Sequence, residues 1–434
     1  MCPDDDSKSY DDVLHELILK LKLNAEGKPK GHPMKNAVST EKEKGTVLER
    51  VTNTLATPLA GFATFLYATW QLVVEQQFFL RTFLVERMGK RGIAKLPLGY
   101  GNVLGLKTIL LLQHLSNNPA LLQDARRRTE QRMLRRLQDR GVSRNQVLAI
   151  REYQAGEIEP RQFYSEHVKR GVPCILRGFV KNAPTDWTLS RLAERFPDAV
   201  VQVLDKRTKK MINVSLREID EDRRTNFIPQ QLLLDQNPVF YDYFRIPKSH
   251  SYFPVMGRPS KPVLSFLILG LGAGLNANYH CEEGPNWYMA VSGSKRWTLI
   301  EAEYSWLLYP AALGNGMRRF AAFKADEHGE PKDRDAYPLM EYAPRYEFEL
   351  HPGDVLFFPA WMWHKTINLN EEGLGVTCRY TAPTEISNRY FRALQLLSGG
   401  FWKSCVEVIG AGIRGNMGAL ANDTDHNEQE TTLY

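Results

Sequence analysis

Two residues able to bind a metal ion lie two positions apart near the middle of the chain. In residues 276–297, NANYHCEEGPNWYMAVSGSKRW, His280 is followed at the second position by Glu282. Side chains at i and i+2 lie on one face of a β-strand. If residues 276–282 form a strand, both side chains can therefore contact one ion, and a further histidine on a neighbouring strand would complete the site.

His364 is the candidate for that third ligand. It follows an apolar segment that begins after the Pro352-Gly353-Asp354 turn and is interrupted by Pro359. A single histidine in such a position is more often structural than ligating. Two neutral imidazoles and a carboxylate, however, form the two-histidine, one-carboxylate ligand set that suits Fe(II) and leaves three coordination positions open.

Short apolar segments separated by glycine and proline turns follow Tyr153. They are rich in β-branched and aromatic residues, and few helices are predicted between them. This pattern is typical of an antiparallel barrel or sandwich, with a helix beginning after Thr188 as N-cap. The strand segments are PCIL, AVVQVL, PVLSFLILGLG, RWTLIEA, YEFELHPGDVLFFPA and LGVTCRYTA.

The segment around His364 resembles the second motif of the cupins. The order glycine, five residues, proline, four residues, histidine, three residues, asparagine ends at Asn368, with Trp361 where many cupins carry glycine. Together with His280, Glu282 and Lys295, it resembles the Jumonji-C branch of the 2-oxoglutarate- and Fe(II)-dependent oxygenases. The resemblance covers about residues 153–381, and it implies a mainly β fold with some α, a double-stranded β-helix preceded by a helical N-terminal region.

The resemblance also implies roles for individual residues. His280, Glu282 and His364 match the iron ligands of the family. Lys295 matches the lysine that pairs with the distal carboxylate of 2-oxoglutarate, and an ammonium suits that task because a buried dicarboxylate needs a compensating charge. Asn286 matches an asparagine that supports the co-substrate in related hydroxylases.

Three positions differ from relatives in the family. Ala277 replaces a threonine whose hydroxyl holds the same carboxylate, and Tyr288, on the same predicted strand face as Asn286, is the candidate to replace that hydroxyl. Arg379 lies where a hydroxylase relative has asparagine, which predicts a charge contact with the co-substrate or product. Glu282 replaces the aspartate usual in hydroxylases and occurs in several demethylases.

The implied activity is hydroxylation of a protein or other substrate, with O2 consumed and succinate and CO2 released. The short spacing between His280 and Lys295 favours the hydroxylase subgroup. An N-methyl-lysine demethylase of the same family is one alternative. A non-catalytic cupin-like binding protein, or a membrane-tethering protein whose first 150 residues carry the main role, is another.

The chain is expected to divide into four regions. Residues 1–50 are predicted to be a flexible, charged N-terminus, residues 51–150 a helical region, residues 151–400 the catalytic domain and residues 401–434 a C-terminal helix and tail. Residues 51–74 carry no formal charge and are long enough to span a membrane, although threonines and Pro58 dilute the signal, and a buried or amphipathic helix is the preferred interpretation.

The N-terminal region also contains nine arginines between Arg126 and Arg151, which we interpret as one helix with an apolar face. Such a helix could bind RNA or anionic lipid, but a solvated surface is favoured because aromatic residues for base stacking are missing. The net charge of +6 on 434 residues does not by itself indicate a nucleic-acid partner. Five cysteines without framework spacing favour an intracellular, reducing compartment, either cytoplasmic or nuclear, with a membrane anchor if residues 51–74 insert.

Overall fold

Two large β-sheets form the body of the protein. The computed structural model describes residues 96–380, with gaps at 116–117, 119, 181–186, 206, 209, 223–226, 247–249, 256–257, 261, 263, 283–284, 311–317, 321–325 and 327–329. The predictions for residues 1–50, 51–74 and 401–434 lie outside the described residues. No helix in the described part of the chain is long and apolar enough to cross a membrane.

The first sheet, sheet A, carries the predicted metal ligands. Its strands pair antiparallel except for the two strands at one edge, which pair parallel. In spatial order they are β1 (Val147–Leu148), β14 (Arg345–Leu350), β12 (Lys295–Ile300), β16 (Trp363–Asn368), β10 (Asn276–Glu282) and β13 (Arg318–Phe320).

The second sheet, sheet B, has nine strands and is antiparallel apart from the two strands at one edge, which pair parallel. In spatial order its strands are β2 (Arg151–Gln154), β3 (Cys174–Arg177), β15 (Val355–Phe358), β11 (Asn286–Ser292), β17 (Glu372–Arg379), β9 (Leu264–Leu271), β6 (Phe227–Leu233), β4 (Val200–Asp205) and β5 (Lys210–Ser215). A separate hairpin joins β7 (His250–Val255) to β8 (Arg258–Ser260).

Strand alternation separates the two sides of each sheet. Every second residue of β11 and β12 packs into a cluster that both sheets share, which includes Tyr288, Ala290, Trp297 and Leu299. The intervening residues of β11 join a different cluster on the outer side of sheet B. The shared cluster is the barrel interior, and this arrangement confirms the predicted mainly β, cupin-like fold.

Two helices precede the sheets and cover the outer face of sheet A. α1 (Tyr100–Leu115) and α2 (Gln123–Asp139) place Leu106 and Leu137 in one buried cluster with Tyr279 and Cys281 of β10. The helical N-terminal region thus packs directly behind the strand that carries His280 and Glu282. A domain boundary near residue 150 remains a prediction, although β1 already pairs with sheet A from Val147.

The shorter helices lie between strands and pack on the outer faces of the two sheets. They are α3 (Pro160–Phe163), continued by a π-helical turn (Tyr164–Val168), α4 (Leu189–Arg195), α5 (Leu216–Glu221) and α6 (Val239–Tyr243), with 3-10 turns at Leu234–Gln236, Ala302–Leu308 and Met340–Tyr342. The predicted cap of α4 is confirmed, because the Thr188 hydroxyl accepts a hydrogen bond from the Arg191 backbone N–H. Ser215 and Glu218 form a reciprocal capping box at α5.

The arginine-rich helix is shorter than the sequence interpretation proposed. A helix through Arg151 is wrong, because α2 ends at Asp139 and the chain then enters β1 and β2. Gly141 adopts a left-handed conformation with φ of 63°, and the Val142 N–H donates to the Leu137 carbonyl. This glycine termination satisfies the last carbonyls of the helix. The exposed arginines of α2, which we call the arginine face, are Arg127, Arg128, Arg132, Arg135 and Arg136.

Candidate metal centre and anion site

The three predicted metal ligands meet on the inner face of sheet A. β10 pairs antiparallel with β16, and His280 lies directly opposite His364 in that register. Their ring centroids are 4.1 Å apart. One candidate ligand atom from each of His280, Glu282 and His364 lies within 4.8 Å of the other two. The pairing of two strands distant in sequence therefore completes the cluster that the HxE spacing begins.

Backbone carbonyls orient both imidazoles. Nδ1 of His280 lies 2.7 Å from the Asn278 carbonyl oxygen, and Nδ1 of His364 lies 3.0 Å from the Met362 carbonyl oxygen. A carbonyl only accepts, so Nδ1 carries the proton in each neutral ring and the Nε2 lone pair is left as the metal donor. Such hydrogen bonds fix the tautomer and the direction of a metal-ligating histidine.

Glu282 supplies the carboxylate. Its side chain is largely buried at 7% exposure, and Oε1 lies 3.8 Å from Nε2 of His280. Ligands that bind one ion at about 2.1 Å from perpendicular directions are about 3 Å apart, so these side chains need only a small approach to share an ion. A donor set of two imidazole nitrogens and one carboxylate oxygen fits Fe(II).

Lys295 is a buried cation on the same inner face. It starts β12, and only 5% of the residue is exposed. No hydrogen bond or ion pair of its ammonium occurs among the described residues, and the nearest aromatic ring, that of Tyr288, has its centre 5.9 Å from Nζ. Burial lowers the pKa of Lys295 to about 8. A buried ammonium without a counter-ion is costly, so this position suits an anionic ligand.

Two glycines allow the close packing around Lys295. Gly293, in the turn between β11 and β12, has φ of 68°, and a Cβ there would lie 1.9 Å from the Glu372 carbonyl oxygen. A Cβ at Gly373 would lie 2.9 Å from Cε of Lys295. Any other residue at Gly293 would force the turn apart, and a side chain at Gly373 would displace the lysine stem.

Asn286 and Tyr288 also face the interior, from β11. The Asn286 side-chain oxygen and the Tyr288 hydroxyl are buried without a hydrogen-bond partner in the described part of the chain. Burial raises the pKa of the Tyr288 phenol well above its usual range, so the phenol remains a neutral donor. A Cβ at Gly375 would lie 1.9 Å from the Tyr288 hydroxyl oxygen, so only glycine accommodates the phenol there.

Two further polar groups were missed by the sequence analysis. The Thr377 hydroxyl and the Trp297 indole N–H are buried, also without a partner among the described residues. Thr377 lies opposite Tyr288 on β17, and Trp297 follows Lys295 by two residues on β12. Strand alternation could have predicted Thr377 as a site residue, since it lies on the same strand face as Arg379, which the sequence had already placed at the site. Buried polar groups of this kind normally form hydrogen bonds, so a bound ligand or water is the expected partner.

Arg379 lies at the metal cluster. Its Nη2 donates to Oε2 of Glu282, and its guanidinium carbon is 5.3 Å from the centre of the Phe266 ring. On the neighbouring strand, Asn286 lies opposite Arg379. The predicted contact between Arg379 and the co-substrate remains a prediction, whereas its contact with a candidate metal ligand is a feature that sequence reasoning did not anticipate.

Comparison with known proteins shows what the chain is similar to. Residues 267–393, which include all three candidate ligands and Lys295, match the family described as a cupin-like domain. The human JmjC domain-containing protein 8 is 26% identical over 244 residues, covering 51% of this chain and 83% of the relative. These matches support a cupin-like Jumonji-C family for the matched part of the chain.

For two other relatives, the match covers a smaller share of the relative's length. The mouse tRNA wybutosine-synthesizing protein 5 is 30% identical over 164 residues, which is 37% of this chain and 44% of the relative. The Arabidopsis thaliana lysine-specific demethylase JMJ21 is 20% identical over 251 residues, or 51% of this chain and 26% of the relative. Members of the Jumonji-C family are usually 2-oxoglutarate- and Fe(II)-dependent oxygenases, and this family includes both hydroxylases and demethylases.

Replacing Lys295 by methionine should stabilise the ligand-free protein at neutral pH. The folded-state pKa of about 8 lies below the ordinary 10.5, so the unfolded chain binds more protons and parent stability rises from pH 8 to 10.5. Lys295→Met removes the cost of burying the charged ammonium. The free energy of unfolding should therefore rise by up to about 3 kcal/mol at pH 7 and by little near pH 10.5. Urea unfolding of the metal-free, 2-oxoglutarate-free protein at pH 7 and pH 10 measures the difference.

Lys365 provides the matched control. It is also buried, but its ammonium forms an ion pair with Glu330. Lys365→Met should therefore lose stability at pH 7, because it leaves Glu330 without that partner. A Lys295→Met protein that is less stable than the parent at pH 7 would show that the Lys295 ammonium has a counter-ion in the ligand-free state.

Proposed function

We propose that this chain is a 2-oxoglutarate- and Fe(II)-dependent oxygenase of the hydroxylase type. The observation that carries the proposal is the Lys295 ammonium, which is buried without a counter-ion from any described residue, on the barrel face that also holds His280, Glu282 and His364. A metal site alone would fit many functions. A metal site with a separate buried cation fits a dicarboxylate that binds the metal at one end and the lysine at the other.

Each part of the site has a distinct task in this proposal. His280, Glu282 and His364 would hold the metal, and Lys295 would bind the distal carboxylate of 2-oxoglutarate. When bound, the iron and the co-substrate would support oxidation of a substrate C–H bond by O2, in which one oxygen atom enters the substrate and the other enters succinate as 2-oxoglutarate releases CO2. Asn286, Tyr288 and Thr377 would orient the co-substrate through their buried polar atoms on the inner face.

Aromatic rings line the site around His364. The His364 ring centroid lies 4.7 Å from that of Phe358 and 6.0 Å from that of Trp297. These rings fix the imidazole and make the surroundings apolar, and a low local dielectric strengthens the pairing of Lys295 with an anion. The same rings limit the side reactions of water at the metal.

A 2-oxoglutarate titration of the anaerobic Fe(II) protein tests the assignment of Lys295. Chelation of iron by an α-keto acid gives a weak charge-transfer absorption band in this family. Lys295→Met should keep the iron but weaken 2-oxoglutarate binding, because loss of one partner of a buried charge pair costs roughly 3 to 5 kcal/mol, on the order of a hundredfold or more in affinity.

The neighbouring Arg296 is the control for this titration. It lies on the outer face of β12, where it forms an exposed ion pair with Glu349, so Arg296→Gln should bind 2-oxoglutarate like the parent. If the parent and Lys295→Met bind 2-oxoglutarate with equal affinity, Lys295 does not bind the co-substrate. Treatment of cell extracts with 2-oxoglutarate and either the parent or His280→Ala then separates the reaction types, since hydroxylation adds one oxygen to a substrate and demethylation removes a methyl group.

RNA is a second candidate partner, favoured by the arginine face of α2. Arg127, Arg128 and Arg135 are exposed and form no ion pair with any described residue. A relative that is 30% identical bears the name tRNA wybutosine-synthesizing protein 5. The apolar face of α2 is buried against sheet A, so the helix offers a cationic surface to phosphates without an apolar face to insert into lipid.

Salt-dependent RNA binding tests this candidate. Replacing Arg127, Arg128 and Arg135 by glutamine should weaken binding of a structured RNA and lower the slope of log K against log salt by about 2, since each phosphate contact contributes about 0.7 to 0.9. The matched control replaces three exposed arginines elsewhere, Arg161, Arg170 and Arg217. If the two triple variants lost RNA affinity equally, net charge alone would explain the effect. The arginine face would then not be a specific RNA-binding surface.

A further inference from the structure

The two oxygens of the Glu282 carboxylate have different neighbours. Oε1 faces the metal cluster, at 3.8 Å from Nε2 of His280, whereas Oε2 accepts a hydrogen bond from Nη2 of Arg379. We propose that Arg379 is a positioning residue that holds Oε2 and thereby makes Glu282 a metal ligand through one oxygen only. This inference rests on the proposed function, because it takes Glu282 to be a ligand.

The fold holds the guanidinium of Arg379 from two sides. Arg379 is the last residue of β17, which pairs with β11 on one side and β9 on the other. Phe266 of β9 lies beneath the guanidinium, with 5.3 Å between the guanidinium carbon and the ring centre. Only 16% of the arginine side chain is exposed. An arginine packed in this way loses little further conformational freedom when it binds the carboxylate.

One-oxygen ligation matters for the number of open positions at the metal. A carboxylate that binds through both oxygens, with two imidazoles, fills four of six octahedral positions. Through one oxygen it leaves three open, which is the number needed for a bidentate 2-oxoglutarate and O2. By occupying Oε2, Arg379 would keep the third position open.

Orientation and simple electrostatics predict opposite results when Arg379 is removed. A guanidinium close to a dication repels it, so on charge alone the metal should bind more tightly without Arg379. If Arg379 instead holds the Glu282 oxygen in the correct place, its loss should weaken binding, as the loss of residues that orient metal ligands usually does. The direction of the change in metal affinity therefore separates the two roles.

Anaerobic titration with Co(II), followed by absorbance and calorimetry, measures that direction without any turnover. Arg379→Gln should bind Co(II) about 10- to 100-fold more weakly than the parent, while Arg379→Lys, which keeps a cationic donor, should recover most of the affinity. Arg296→Gln, on the outer face of β12, is the matched control and should bind like the parent. In a Glu282→Gln background, Arg379→Gln should cause no further loss, because the pair is already broken.

Several outcomes would overturn the inference. Unchanged or tighter Co(II) binding in a folded Arg379→Gln protein contradicts it while leaving the metal site intact. A parent protein that binds no metal removes the proposed function as well. If Arg379→Gln does not fold, Phe266→Leu takes its place, since it removes only the ring beneath the guanidinium. Co(II) affinity should then fall by about fivefold, and an unchanged affinity would again contradict the inference.

Discussion

The register between β10 and β16 is the constraint on which the site depends. It sets His280 opposite His364 and leaves Glu282 two residues further along the same face. A slip of one residue would exchange the two faces of β10, turning Cys281 into the barrel and His280 towards helices α1 and α2. The apolar residues Tyr279 and Cys281, buried with α1 and α2 on the outer face, oppose such a slip. The N-terminal helices thus contribute to the candidate metal site from the opposite face of β10.

The inner face of the barrel combines an apolar wall with a small number of buried polar groups. Aromatic and aliphatic side chains from both sheets fill the interior, while polar groups around Tyr288 and Thr377 lack partners among the described residues. Charge is placed at two points, the ammonium of Lys295 and the guanidinium of Arg379 on Glu282. Glycines on the inner face of β17 provide the space for Lys295 and Tyr288. An interior of this kind is poorly paired without a ligand, and a metal with a dicarboxylate would supply the missing partners.

Sequence reasoning could predict the features that follow strand alternation or a local turn. The shared face of His280 and Glu282, the strand after the Pro352-Gly353-Asp354 turn and the start of β12 at Lys295 all depend on residues close in sequence. The contact of Arg379 with Glu282 depends on the curvature that brings the end of β17 to the end of β10, which no local pattern encodes. The end of α2 was missed because the left-handed Gly141 was read as part of a continuous arginine-rich helix. Roles for the individual site residues remain predictions.

Anomalous diffraction from crystals grown with Mn(II) and 2-oxoglutarate tests the central claim most directly. The account predicts one manganese peak bound by Nε2 of His280, Nε2 of His364 and a single oxygen of Glu282. It also predicts 2-oxoglutarate density that runs from the metal to Nζ of Lys295. A manganese peak at other residues, or 2-oxoglutarate density away from Lys295, would contradict the account.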